Sequence, residues 1–152
     1  MSSTNDRGLV VFGGTFDPVH NGHIECALAL QASLGGESLV LVPSRTPPHR
    51  GEPSASAEDR YNMVQAATNN LPGIVVDNRE LMRDGPSYIY ETLASFRRDI
   101  GDLKPLIFAM GFDSFVTLPN WHRWQELCEL AHLVVLNRGV VPDSEPVRLQ
   151  RW

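Results

Sequence analysis

Hydrophobic residues gather along this chain in five short unbroken runs, residues 9–12, 39–42, 74–76, 106–110 and 133–136, all rich in Val, Ile, Leu or Phe. Runs of this length without polar alternation predict strands buried on both faces. Between them the period changes to that of a helix. Ile89, Leu93, Phe96 and Ile100 fall at i, i+4, i+7 and i+11, one apolar stripe that packs on a sheet. Further helices are expected over residues 22–33, 57–70 and 121–131, and Ser56, three residues before Asp59, offers a capping box for the second of these. Strand and helix alternate throughout. The predicted fold is therefore α/β: a Rossmann-like, doubly wound, mainly parallel sheet of about five strands with helices on both faces, binding ligands beyond the carboxyl ends of its strands. Residues 43–57, with four prolines and several serines, break the pattern and predict a long surface loop.

Composition narrows the function without naming it. The 152 residues fit one domain, and the shares of hydrophobic (42%) and charged (20%) residues are those of a globular protein. The first eight residues are polar and no run of about 18 apolar residues occurs, so a cytoplasmic protein with no membrane partner is expected. Two cysteines, Cys26 and Cys128, form no CxxC pair and are expected to be buried thiols. A net charge of −5 disfavours an extended nucleic-acid surface, which needs a basic face, but leaves room for a local anion pocket. Lys104 is the only lysine beside twelve arginines, so lysine-dependent phosphate chemistry has almost no candidate.

The chemistry concentrates after the first strand, in Gly13-Gly14-Thr15-Phe16-Asp17-Pro18-Val19-His20-Asn21-Gly22-His23, which then opens a helix. Paired glycines let backbone approach a ligand, and the amides at a helix start carry partial positive charge, so an anion is favoured there. Two histidines three apart can project to the same side. Neither GxGxxG nor GxxxxGK[ST] occurs, which disfavours a dinucleotide-dependent dehydrogenase and a P-loop NTPase. Phosphates bound here must be met by imidazole N–H groups and arginines.

The string GGTFDPVHNGH resembles the HxGH signature of the nucleotidyltransferase superfamily, and most closely that of the bacterial nicotinate-mononucleotide adenylyltransferases. Pro47-Pro48-His49-Arg50, Ser87-Tyr88 with Glu91-Thr92-Leu93, and Gly111-Phe112-Asp113-Ser114 followed by Trp121 and Trp124 extend the likeness over nearly the whole chain. The resemblance implies transfer of the adenylyl group of ATP to nicotinate mononucleotide, with release of pyrophosphate. It implies His20 and His23 as catalytic phosphate donors, and Gly13, Gly14, Thr15, Phe16, Gly111 and Asp113 around ATP, with Asp113 at the ribose. Mg²⁺ is implied as an ion carried mainly on the ATP phosphates, with no protein ligand. Trp121 is implied as a stacking platform for the pyridine ring, the backbone around Ile89 and His122 as receiver of its carboxylate, and His49 and Arg50 as loop residues closing over phosphate. Members of the family often carry threonine where this chain has Ile89. Relatives also carry a late motif, ISxTxxR, that this sequence lacks before its end at residues 147–152, which implies a shortened single domain whose ATP site misses one wall.

Read on residue types alone, other roles stay open. His20 and His23 can be a structural pair or two zinc ligands, Trp121 and Trp124 can be core residues, Asp113 can cap a helix, and Arg50 can be a solvated loop residue. Asp17 is expected to shape the turn and Tyr88 to pack. The competing functions are adenylyl transfer to another acceptor, nicotinamide mononucleotide or phosphopantetheine, and a shortened chain that binds nucleotide without turning it over. Oligomeric state is not legible from the sequence.

Overall fold

The computed structural model describes residues 7–34 and 38–137; the closing residues 147–152 singled out above lie outside them. Five strands, β1 (Leu9–Gly14), β2 (Ser38–Pro43), β3 (Ile74–Val76), β4 (Leu106–Gly111) and β5 (His132–Leu136), pair in the order β3-β2-β1-β4-β5, every pair parallel. Each begins within a residue of where the apolar runs place it. The helices are α1 (Asn21–Leu34), α2 (Ala57–Thr68), α3 (Ile89–Ile100) and two short ones, α4 (Phe112–Thr117) and α5 (Leu127–Leu130). No helix among the described residues is long and apolar enough to cross a membrane.

Strand order dictates where the helices lie. The chain steps outward from β1 through β2 to β3, then returns past β1 to β4 and β5, so crossovers of one hand put α1 and α2 on one face and the later helices on the other. The core divides accordingly. Val10, Phe12, Leu39 and Leu41 pack with Ala27, Leu30 and Val64 of α1 and α2. Val11, Val40, Val42, Phe108 and Met110 pack with Leu93 and Phe96 of α3 and with Leu127 of α5. Alternate residues of β1, β2 and β4 thus enter opposite cores, as their unbroken apolarity requires. The outer strands depart from that expectation: Val75 of β3 is 50% exposed and β5 is only partly buried, because an edge strand has a neighbour on one side.

Two further expectations are corrected. The helix expected over residues 121–131 is broken into a turn of 3₁₀ helix, Trp124–Glu126, followed by α5, while α4 arises unpredicted just after β4. Arg123 adopts a left-handed backbone (φ 54°) and Trp121 an extended one, so no continuous helix can pass through them. Neither cysteine is the buried thiol expected: Cys128 is exposed, Leu127 beside it being the buried residue of α5, and Cys26 is half-buried. The second helix does start at its cap: Ser56 Oγ accepts the Asp59 amide at 3.1 Å and donates to the Asp59 carboxylate at 2.7 Å.

Candidate active site

The β1–β4 register runs from Leu9↔Leu106 to Phe12↔Ala109 and stops there. Beyond that point β1 continues with β2 to Gly14↔Pro43, and β4 continues with β5 to Gly111↔Leu136. The two central strands therefore part at their carboxyl ends, at the place where the order of connection reverses, and a crevice opens between them. A cavity of about 240 Å³ occupies it. Of the residues expected at a site, Gly13, Gly14, Thr15, Gly111 and Asp113 line it, as do Ile89, Trp121, His122, His49 and Arg50.

Phe16, His20 and His23 do not line that cavity. Phe16 is a correction at the level of its side chain: the ring is 2% exposed, edge-on to Phe12 at 6.1 Å and to His23 at 4.9 Å between centroids. It is core, and its ring props the His23 imidazole. The histidines do project together, their rings stacked with centroids 3.8 Å apart. His23 Nδ1 accepts the His20 amide at 3.2 Å, which places the proton of a neutral His23 ring on Nε2. His20 lies over Gly22, where a Cβ would come within 3.0 Å of its Cε1, so the glycine between the histidines makes room for a ring. The helix they open has no acidic residue in its first turn, which leaves its positive end uncompensated.

At the other end of the cavity the walls are aromatic. Trp121 is fixed by a hydrogen bond from its Nε1 to Thr117 Oγ1 at 3.1 Å and lies nearly parallel to His49 of the long loop, with centroids 6.3 Å apart. Tyr88 stacks on His122 at 4.4 Å. Tyr88 also stands at the N-cap of α3 without offering its side chain to the first-turn amides, so those beginning at Ile89 carry no side-chain cap. Trp124 is 7% exposed and belongs to the core. Asp113 caps no helix: it is exposed, its Oδ1 sits where a Cβ on Gly111 would approach to 2.6 Å, and Arg50 reaches it at 3.8 Å across the cavity mouth. Asp17 closes the turn from the other side, accepting the amides of Ser54 at 2.6 Å and Ala55 at 3.1 Å; these bonds, the Ser54 one foremost, hold its carboxyl below the usual range.

Three residues that sequence reasoning missed complete the site. Arg60 of α2, 1% exposed, donates to the carbonyls of Thr15 and Ser44 at 2.7 Å each and of Ala55 and Arg45 at 3.1 Å each, so one guanidinium ties the glycine-rich turn to both ends of the long loop. Its signal was its place on the buried stripe with Val64 and Thr68. Ser44 brings to the cavity wall a buried Oγ with no hydrogen-bond partner among the described residues. Glu80, 4% exposed, also lines the cavity; burial pushes its carboxyl up to about 7 against the opposing pull of the Thr92 hydroxyl and Arg83.

A parallel sheet opened at its switch point, with stacked imidazoles at the start of the first helix, is the arrangement that the resemblance to HxGH nucleotidyltransferases implies. Comparison with known proteins carries this further. The family model for cytidylyltransferase-like proteins matches residues 11–149. A probable nicotinate-nucleotide adenylyltransferase of Yersinia pestis (strain Pestoides F) is 44% identical over 153 residues, covering 100% of this chain and 70% of the relative. Its counterpart from Aeromonas salmonicida (strain A449) is 49% identical over 134 residues, 88% of this chain and 62% of the relative. Among solved structures, the nicotinic acid mononucleotide adenylyltransferase of Plasmodium falciparum complexed with NaAD superposes with a TM-score of 0.77 at 16% identity, over 91% of this chain and 68% of that one, a likeness of fold. The chain belongs to the cytidylyltransferase-like family and, within it, to the nicotinate-nucleotide adenylyltransferases.

Proposed function

We propose that this chain joins ATP to nicotinate mononucleotide, forming nicotinate adenine dinucleotide and pyrophosphate. The observation that carries the reading is one crevice with two unlike ends, the backbone of Gly13–Thr15 at one and aromatic rings and uncapped amides at Trp121 and Ile89 at the other, while stacked imidazoles open the helix that follows that backbone. An oxygen of the mononucleotide phosphate attacks the α-phosphorus of ATP, a bond forms there, and the bond to the β-phosphate breaks. Side chains take part in no covalent step. Their work is to align two anions that repel each other and to meet charge growing on the transferring and leaving oxygens.

In this reading His20 and His23 Nε2 donate to the phosphates, with Gly14 and Thr15 adding backbone N–H groups. Asp113 accepts from the ribose hydroxyls, and Arg50, now resting on Asp113, turns to phosphate when the loop meets substrate. Trp121 stacks on the pyridine ring, and the amides near Ile89 and His122 take its carboxylate. A backbone contact of this kind needs no hydroxyl, so Ile89 serves as well as threonine. Among the described residues no group of three or more His, Cys, Asp or Glu side chains could hold a metal ion, and Asp113 is exposed at the mouth; this donor set fits Mg²⁺ carried on the triphosphate. The chemistry such an ion supplies is neutralisation of charge on the departing pyrophosphate.

The test is product analysis by chromatography and mass spectrometry after incubation with ATP and each of three acceptors: nicotinate mononucleotide, nicotinamide mononucleotide and phosphopantetheine. The acid mononucleotide is expected to give the dinucleotide fastest. A clear preference for phosphopantetheine overturns the assignment.

A further inference from the structure

Neither phosphate chemistry nor ring stacking uses Glu80, yet this nearly buried carboxyl stands in the cavity wall beside Ser87, Tyr88 and Ile89. Its hydrogen bonds have a definite polarity. Thr92 Oγ1 donates to Glu80 Oε1 at 2.6 Å while accepting from the Arg83 guanidinium at 2.9 Å. The Ser87 hydroxyl also pulls the Glu80 carboxyl toward its charged form, and its Oγ already accepts the amides of Arg45 at 3.0 Å and Thr46 at 3.1 Å. With both lone pairs taken, the Ser87 hydroxyl has only its hydrogen to give. A proton placed on Glu80 itself therefore finds no acceptor in Ser87, and the open side is the cavity.

The charged and titratable groups around Glu80 are few. Arg83 approaches from the same connecting segment and Asp77 from the end of β3; α3 contributes the Thr92 hydroxyl, and the turn before it Ser87 and Tyr88. Across the cavity stand His49, Arg50, Asp113 and His122. A second carboxylate entering this space is repelled by an ionised Glu80 and accepted by a protonated one, the arrangement of two carboxyl groups sharing a hydrogen.

Resting on the acceptor assignment above, we propose that Glu80 is a specificity-determining residue that holds a proton for the acid acceptor. Nicotinate mononucleotide binds together with one proton, taken up from solvent onto Glu80, whose O–H then donates to the ligand's carboxylate; the amide form binds without that proton. Burial already brings the free group to about 7, so only a modest further rise on binding is required.

The test is titration calorimetry of both mononucleotides at about pH 8 in two buffers of different ionisation heat, which yields the protons taken up per ligand bound. The two ligands share a phosphate, so their difference isolates the ring substituent. The acid is expected to take up about half a proton or more beyond the amide, since one of two carboxyl groups sharing a site has its pKa strongly raised. In Glu80→Gln that difference should vanish while the acid still binds. Acid binding with no excess uptake in the wild-type protein overturns the proposal and needs no variant that folds; excess uptake unchanged in Glu80→Gln also overturns it. Failure of nicotinate mononucleotide to bind at all overturns the acceptor assignment, and the proposal with it.

Discussion

Replacing Arg60 by methionine tests whether one buried cation holds the nucleotide end of the crevice in shape. The side chain spends its donors on four main-chain carbonyls from three segments: Thr15 after β1, Ser44 and Arg45 after β2, and Ala55 before α2. Hydrogen bonds to a charged group are each worth about 1.5–3 kcal/mol, and a carbonyl left unmet in a buried place loses that in full. Arg45 is exposed and Ala55 partly so, and water can replace their donors; the two 2.7 Å bonds to Thr15 and Ser44 carry most of the loss. Against them stands the cost of burying the guanidinium, which depresses its pKa and is relieved by the substitution.

The net expected for Arg60→Met is a destabilisation of about 3 kcal/mol, or roughly 6–12 °C in melting temperature for a chain of this size. Arg60→Lys keeps the charge but brings a single nitrogen that cannot reach four carbonyls, so about half that loss is expected. Thermal melting followed by circular dichroism measures both. Because Thr15 lines the cavity, the KM for ATP should rise in either variant under conditions where it is fully folded. A methionine variant that melts within about 2 °C of the parent, or a lysine variant that matches it, refutes the reasoning.

Other perturbations follow from the same geometry. His20→Ala and His23→Ala should each lower kcat by about 10²–10³ with little change in mononucleotide affinity, since the donors act on charge that grows in the transition state; equal losses in binding and rate would count against that role. Gly22→Ala, whose Cβ meets the His20 ring at 3.0 Å, should reproduce much of the His20 defect in steady-state kinetics without lowering the melting temperature by more than about 1 kcal/mol equivalent. Trp121→Ala should raise the dissociation constant for the mononucleotide about tenfold in a direct titration; an unchanged value returns the indole to a purely packing role beside Phe108. Glu80 predicts a pH signature of stability. Its folded value of about 7 lies above the ordinary 4.5, so the native state keeps a proton that the unfolded chain loses in that interval. Its contribution is complete below the lower value, declines as pH climbs between the two and is gone above the upper, a span of about 3 kcal/mol. Urea midpoints should fall more steeply over that range for the parent than for Glu80→Gln, and parallel curves would refute the buried-acid assignment.

What the sequence made legible and what it concealed divide along a physical line. Five apolar runs marked the strands because a strand buried on both faces leaves no room for polar alternation, and the stripe from Ile89 to Ile100 marked α3 because one helix face must meet the sheet. The turn from Gly13 to His23 stood out because a glycine pair, a helix start and spaced imidazoles are local features. The helix expected across Trp121 failed because its interruption depends on one left-handed residue, Arg123, that no periodicity records, and that interruption is what frees Trp121 and His122 to face the cavity. Arg60 and Glu80 were hidden for a deeper reason. A charged residue reads as solvated until its partners are placed, and theirs come from far along the chain: Thr15 lies 45 positions from Arg60 and Thr92 lies 12 from Glu80. Burying such groups is costly unless every donor and acceptor is met, so a fold that does bury them binds distant segments into one rigid wall. Arg60 should accordingly be the position where loss of stability and weaker ATP binding appear together, whereas the exposed His20 and Arg50 should lose function alone.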